Sequence, residues 1–148
     1  MASRGVEETR ALAASSPGTP LTGALIRAAR AVTARVEQVL AAEGLTLDQW
    51  LALDALTGRG GVAMTELADR TLTTGPTLTR VVDRLVGTAQ AYREVDAGDR
   101  RRVLVYLSAR GRATHRRIAA RIGEVEAEVL TELSAPDELL ADLRRLGG

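Results

Sequence analysis

Over most of this chain the apolar positions recur every three to four residues, and one short interval switches to a period of two. From about Pro20 to Glu43, Leu21, Leu25, Ala28, Val32, Val36, Val39 and Leu40 form one stripe, which predicts a long amphipathic helix. Gly44 can take the left-handed conformation that closes it. Thr46 to Gln49 (Thr-Leu-Asp-Gln) reads as a capping box opening a second helix through Thr57, with Trp50, Leu51, Leu53 and Leu56 expected inside. Gly58, Gly60 and Gly61 break the chain. A short helix is predicted over Met64 to Arg70, then a turn over Thr71 to Pro76, where Thr73 or Thr74 can cap and Pro76 suits a first helical turn. Leu78, Val81, Val82, Leu85 and Val86 give the next stripe, ending at Gly87. Two helices joined by so short a turn are a helix-turn-helix.

The period of two begins at Ala91. Ala91 to Val95 and Arg102 to Leu107 are predicted strands, and Asp96 to Asp99 a turn, so the segment is a hairpin with Arg100, Arg101 and Arg102 at its tip and return edge. A charged hairpin after a helix-turn-helix is a wing. Ser108 is expected to cap a long helix to about Leu133, with Ile118, Ile122, Val125, Val129 and Leu133 as its stripe. Ser134 to Asp137 opens a last helix carrying Leu139, Leu140, Leu143 and Leu146. The predicted fold is mainly α: a winged helix-turn-helix of three short helices and a two-stranded β wing, flanked by N- and C-terminal helices. The expected organisation is a flexible tail over 1–19, an N-terminal dimerisation helix over 20–44, the winged region over 45–108 and C-terminal dimerisation helices over 109–148, since one small winged region cannot cover both terminal stripes and a two-fold pairing of copies would bury them.

The 148 residues suit one domain, and 45% hydrophobic with 26% charged residues predicts a folded chain. The absence of cysteine excludes disulfides, a thiol nucleophile and Cys-ligated metals, and a single His excludes a multi-His metal site within one chain. With 2% aromatics, the core must be built from Leu, Val, Ile and Ala. All 20 basic residues are Arg. The net charge of +1 hides a segregation: residues 59–121 carry 13 Arg against 6 acids, and residues 122–148 carry 2 Arg against 7 acids. A basic middle suits a polyanion, although a solvated Arg-rich surface gives the same pattern. No apolar signal region or membrane span is read, so a cytoplasmic location without membrane partners is expected. No Ser-His-Asp set, phosphate loop, metal set or carboxylate pair emerges, so neither an enzyme nor a cofactor is expected.

Leu45 to Leu53 (Leu-Thr-Leu-Asp-Gln-Trp-Leu-Ala-Leu), Glu66 to Ala68, Leu78 to Leu85 (Leu-Thr-Arg-Val-Val-Asp-Arg-Leu), Asp96 to Arg101 and Leu107 to Gly111 (Leu-Ser-Ala-Arg-Gly) stand in an order and spacing that resembles the MarR (multiple antibiotic resistance regulator) family. The likeness covers roughly Leu21 to Leu146. It implies a homodimeric winged-helix transcription factor, usually a repressor that a small ligand releases from double-stranded DNA. Three positions depart from the pattern. Ala89 and Gln90 stand where a Gly and an apolar residue precede the wing, with Gly87 left to make the turn, and Ala63 stands where a capping residue is expected.

The resemblance places the second helix of the motif in the major groove, with Thr74, Gly75, Pro76, Thr77, Thr79, Arg80 and Arg84 nearest the DNA. The alternative is that these threonines are only caps and turn formers. Arg101 matches the family's minor-groove arginine, Asp99 would orient its guanidinium, and Arg100 and Arg102 would meet phosphate or solvent. The alternative there is a solvated hairpin with an intra-turn ion pair. The implied effector site lies between the dimer helices and the winged region, with Trp50 and His115 as candidate lining residues. Trp50 is as well read as core, and His115 as an exposed helix position. The rival function is a protein-binding adaptor that keeps the fold without reading DNA.

Overall fold

The computed structural model describes residues 20–147. The expected N-terminal tail over 1–19 and the last glycine lie outside the described residues. The elements, in order, are α1 (Leu21–Ala42), α2 (Leu47–Leu56), β1 (Val62–Ala63), α3 (Met64–Thr71), α4 (Gly75–Gly87), β2 (Ala91–Val95), β3 (Val103–Leu107), α5 (Ala109–Thr131) and α6 (Pro136–Gly147). The chain divides between Val32 and Thr33 into two compact units. The first holds the N-terminal half of α1, where Leu21, Leu25, Ile26 and Ala28 are all exposed. The second holds the rest of α1 and every later element.

The core of the second unit is aliphatic, as the shortage of aromatics requires. Leu40 from α1, Leu53 and Leu56 from α2, Leu67 from α3, Leu78, Val82 and Leu85 from α4, Val105 from β3 and Ile118 from α5 are all fully buried in one cluster. The α1 stripe is therefore used unevenly: Val36 and Leu40 are core, while Leu21 and Leu25 face outward. The long C-terminal helices grade the same way. Ile118 and Ile122 are buried, Val125, Val129 and Leu133 half-buried, and Leu139, Leu143 and Leu146 exposed. On α2, Trp50, Leu53 and Leu56 are buried as expected, but Leu51 is exposed and Ala52 takes the inward place.

Local chemistry sets the helix ends. Gly44 has φ +70° just beyond α1. Thr46 and Gln49 form the reciprocal capping box: the Thr46 hydroxyl accepts from the Gln49 amide, and the Gln49 side chain accepts from the Thr46 amide. Ala63, ahead of α3, offers no side-chain cap. Thr74 precedes α4 with extended backbone, but its hydroxyl donates to Thr77 Oγ1 (3.2 Å) instead of capping the helix.

The wing is larger by one strand than the sequence suggested. β1 pairs antiparallel with β3, so the sheet has the order β1-β3-β2. Two residues between a glycine and the start of a helix leave too short a run for any period to show. The wing's seat also differs. Gly87 is the last helical residue, and the turn is made at Ala89, at φ +58°. Gln90 is turned inward and buried. Its Nε2 donates to Thr88 Oγ1 (3.1 Å), while its Oε1 is buried without a partner. Its backbone carbonyl accepts from the Ser108 amide at 3.0 Å and lies 3.0 Å from the Ser108 hydroxyl, whose one proton it shares with the Ala89 carbonyl. Ser108 also donates to the Ala89 carbonyl (2.7 Å) and accepts from the Gly111 amide (2.9 Å), capping α5. A Cβ at position 111 would lie 2.0 Å from the Gln90 carbonyl oxygen, so only glycine fits where α5 meets the root of the wing. This contact is the physical content of the Leu-Ser-x-x-Gly run.

Candidate nucleic-acid interface

α4 is amphipathic. Leu78, Val81, Val82 and Leu85 are buried, which leaves Gly75, Pro76, Thr79, Arg80, Asp83 and Arg84 exposed and Thr77 half-buried. Its first turn has backbone N–H groups with no intrahelical acceptor, which makes the N-terminal end electropositive. The Thr79 hydroxyl donates back to the Gly75 carbonyl (3.0 Å). The Thr77 and Thr74 hydroxyls hold each other, and the Thr73 hydroxyl donates to the Thr71 carbonyl. The turn between α3 and α4 passes through Leu72 at φ +52°, with its side chain 94% exposed.

At the other end of the surface is the wing tip. The Asp96 amide donates to the Arg102 carbonyl and the Arg102 amide to the Asp99 carbonyl, both at 2.9 Å. Asp96 Oδ1 accepts from the Gly98 amide (2.9 Å). Asp99 Oδ1 accepts from the Arg101 amide (3.0 Å). The Asp99 carboxylate thus holds the backbone of Arg101 and not its guanidinium, a correction to the orienting role expected from sequence. The tip is stiffened by main-chain bonds, and the Arg101 side chain is left free to reach outward. The intra-turn ion pair is instead Asp96 with Arg102, at 3.9 Å, with Arg102 exposed and Asp96 half-buried.

Among the described residues the guanidinium groups of Arg80, Arg84, Arg100 and Arg101 have no ion-pair partner, and all four residues are exposed. Arg59, Arg70 and Arg93, in the same winged region, are paired with Glu66, Glu66 and Asp83. The sequence does not reveal this split, because it depends on which acids the fold brings near. An unpaired arginine on a rigid element keeps its full charge and all five donors for an external acceptor.

Trp50 and His115 do come together. Their rings stack with centroids 4.9 Å apart and planes 7° from parallel. His115 Nε2 lies 2.8 Å from Asp54 Oδ1, and the His115 side chain is only 13% exposed. The expectation of an exposed His115 is therefore corrected: α5 turns it against α2, where Trp50 covers one ring face. Trp50 itself is core. The partner the sequence missed is Asp54, sixty-one residues away in the chain. A second charged cluster joins the chain after α1 to α5. Glu43 accepts from Arg117 (2.8 Å) and from Arg121 (2.9 Å). The Arg117 hydrogen bond is the main reason the Glu43 carboxyl is held below its ordinary range; partial burial opposes it, and the charges of both arginines add to the lowering. The same bond raises Arg117. No helix among the described residues is long and apolar enough to cross a membrane.

Comparison with known proteins agrees with this architecture. The sequence model of the MarR family matches residues 43–102, the stretch from the capping box of α2 to the wing tip. The chain is 29% identical over 119 residues to the HTH-type transcriptional repressor Rv2887 of Mycobacterium tuberculosis, covering 80% of this chain and 86% of the relative. The crystal structure of that MarR family protein in complex with p-aminosalicylic acid superposes with a TM-score of 0.72, covering 88% of this chain and 100% of that one. A structure from Pseudomonas aeruginosa, described as a "probable transcriptional regulator", is 33% identical with a TM-score of 0.68, covering 79% of this chain and 92% of that one.

Proposed function

The chain belongs to the MarR family of transcriptional regulators, and from that premise we propose that it is a homodimeric repressor that binds a pseudo-palindromic operator and is released by a small ligand. The observation that carries the DNA reading is the set of unpaired, exposed arginines at two places: Arg80 and Arg84 on α4, and Arg100 and Arg101 on the wing tip. α4 enters the major groove by its N-terminal end. Gly75 and Pro76 let the backbone approach, Thr74, Thr77 and Thr79 offer hydroxyls and methyls, and Arg80 and Arg84 take phosphates or base edges. Arg101 enters the minor groove, Asp99 fixes the backbone that carries it, and Arg100 and Arg102 serve phosphates.

Dimer formation is supported by the apolar residues that the described chain leaves exposed, Leu21, Leu25 and Ile26 on α1 and Leu139, Leu143 and Leu146 on α6. A two-fold axis would cover both sets and place two copies of α4 about one DNA turn apart. Release by a ligand is supported by the p-aminosalicylic acid complex of the mycobacterial relative. Trp50 and His115 are the aromatic residues proposed to border that site in this chain, and the neighbouring Asp54 joins them.

Selection of the purified protein against a random duplex pool near physiological salt tests the whole reading. Enrichment of an inverted repeat, with half-sites about 10 bp apart, is the expected result. Binding without an enriched motif would leave a non-specific basic surface. A folded dimer that enriches nothing at any salt would favour the adaptor reading.

A further inference from the structure

Arg93 is an arginine on the wrong face of the wing. It pairs across the strands with Val105, which is fully buried, so both side chains lie on the side of the sheet that faces the helices. An apolar residue would be expected there. Arg93 instead reaches α4, where its guanidinium donates to Asp83 Oδ1 at 2.7 Å. Asp83 is also out of place. It is an exposed carboxylate between Arg80 and Arg84 on the helix proposed to meet phosphates, where a negative charge opposes binding. Each residue is costly in its own setting, and the geometry that brings them together gives both a reason.

We propose that Asp83 and Arg93 are positioning residues that fix the angle of the wing against α4, so that Arg101 and the start of α4 meet the two grooves at one set spacing. This rests on the DNA-binding reading above. β2 is held against the rest of the molecule at its first residue, Ala91, and by β3 along one edge; from Tyr92 to Val95 it is exposed. On the outer face Tyr92 and Tyr106 stack on each other, with ring centroids 5.2 Å apart, which stiffens the hairpin but does not tie it to α4. The ion pair is the side-chain tie from the outer part of β2 to the recognition helix. Both partners are partly open to solvent, so the pair adds little to stability, and its effect lies in orientation.

Charge and position make opposite forecasts for one variant. Asp83→Asn removes a negative charge beside DNA, so a purely electrostatic role makes it bind more tightly. A positioning role makes it bind more weakly. The test measures affinity for the duplex that the unaltered protein enriches from a random pool. Asp83→Asn and Arg93→Gln are each expected to lose about tenfold, with melting temperatures close to that of the unaltered chain. In an Arg101→Ala background the Asp83→Asn loss should nearly vanish, because a wing that no longer reads DNA gains nothing from being aimed. Tighter binding by Asp83→Asn, or a loss that persists undiminished with Arg101→Ala, overturns the proposal. If the unaltered chain enriches no duplex, the DNA reading itself fails; if it does and Arg101→Ala binds as well as the unaltered chain, the wing has no role to position.

Discussion

Leu72 holds a left-handed conformation at the end of α3, with almost its whole side chain in solvent. A β-carbon is disfavoured there by about 1–2 kcal/mol, and glycine escapes the penalty. Leu72 has little burial to offset that cost. Leu72→Gly should therefore stabilise the protein by about 1 kcal/mol, raising the melting temperature by about 3 °C; a lower melting temperature would mean that Leu72 makes a contact its exposure does not suggest. Arg101 is the opposite case, a residue whose proposed role lies outside the free protein. Its guanidinium has no ion-pair partner among the described residues, and Asp99 secures only its backbone. Arg101→Ala should leave the melt unchanged and cost roughly 1–3 kcal/mol of operator binding, measured by fluorescence anisotropy at fixed salt. The two residues differ in legibility. Arg101 stands out in the sequence because it is the centre of an arginine run after a turn. Leu72 does not, because backbone dihedrals at a turn are set by how the two helices pack.

Among the elements, those with a strong period or a cap were readable from sequence, often to the residue. α4 ends at Gly87, β2 spans Ala91 to Val95, and the capping box of α2 forms with both its hydrogen bonds. β1 was not readable, since its two residues become a strand only when β3 arrives from forty residues away. The side chains that tie elements together were equally hidden. Asp54 with His115, Asp83 with Arg93 and Glu43 with Arg117 and Arg121 are each pairs of ordinary surface residue types until the fold brings them close. Glu43 has a consequence in pH. Its carboxyl titrates below its unfolded value, so the tie to α5 is fully present above the ordinary glutamate range and is lost as pH falls through the lowered value. Thermal melts taken from neutral pH downward should show Glu43→Gln losing less stability across that acid limb than the unaltered chain. Parallel curves for the two proteins would remove Glu43 from the acid response.

At the scale of the whole molecule, the sequence shows two long apolar stripes, and the structure shows that each is only half consumed. Val36 and Leu40 of α1 and Ile118 and Ile122 of α5 enter the core, while Leu25, Leu139 and Leu143 do not. Large apolar side chains left exposed on α1 and on α6 support the dimer proposed above. Introducing Leu25→Asp together with Val32→Asp should shift the protein from dimer to monomer in light scattering, and should abolish operator binding by removing the second half-site contact. An unchanged dimer mass would exclude the N-terminal half of α1 from the interface. The uneven charge acts at the same scale. The excess of 13 Arg over 6 acids lies in residues 59–121, which include α4 and the wing, and the acidic excess lies in residues 122–148. Such a dipolar charge distribution orients an approaching polyanion before any contact forms, and its influence fades as salt rises.

The junction of Ser108, Gly111 and Gln90 makes the base of the hairpin and the first turn of α5 a single mechanical piece. Two amide hydrogen bonds, a hydroxyl proton shared by two carbonyls and a glycine with no room for a methyl group meet within a few ångströms. Opening either side breaks bonds that the other side makes. In native-state hydrogen exchange the amides of Ser108 and Gly111 should consequently exchange at the pace of the central strand β3, and not with the fraying rate usual for the start of a helix. A displacement of α5 would then pull on the root of the wing, as a lever moves its far arm.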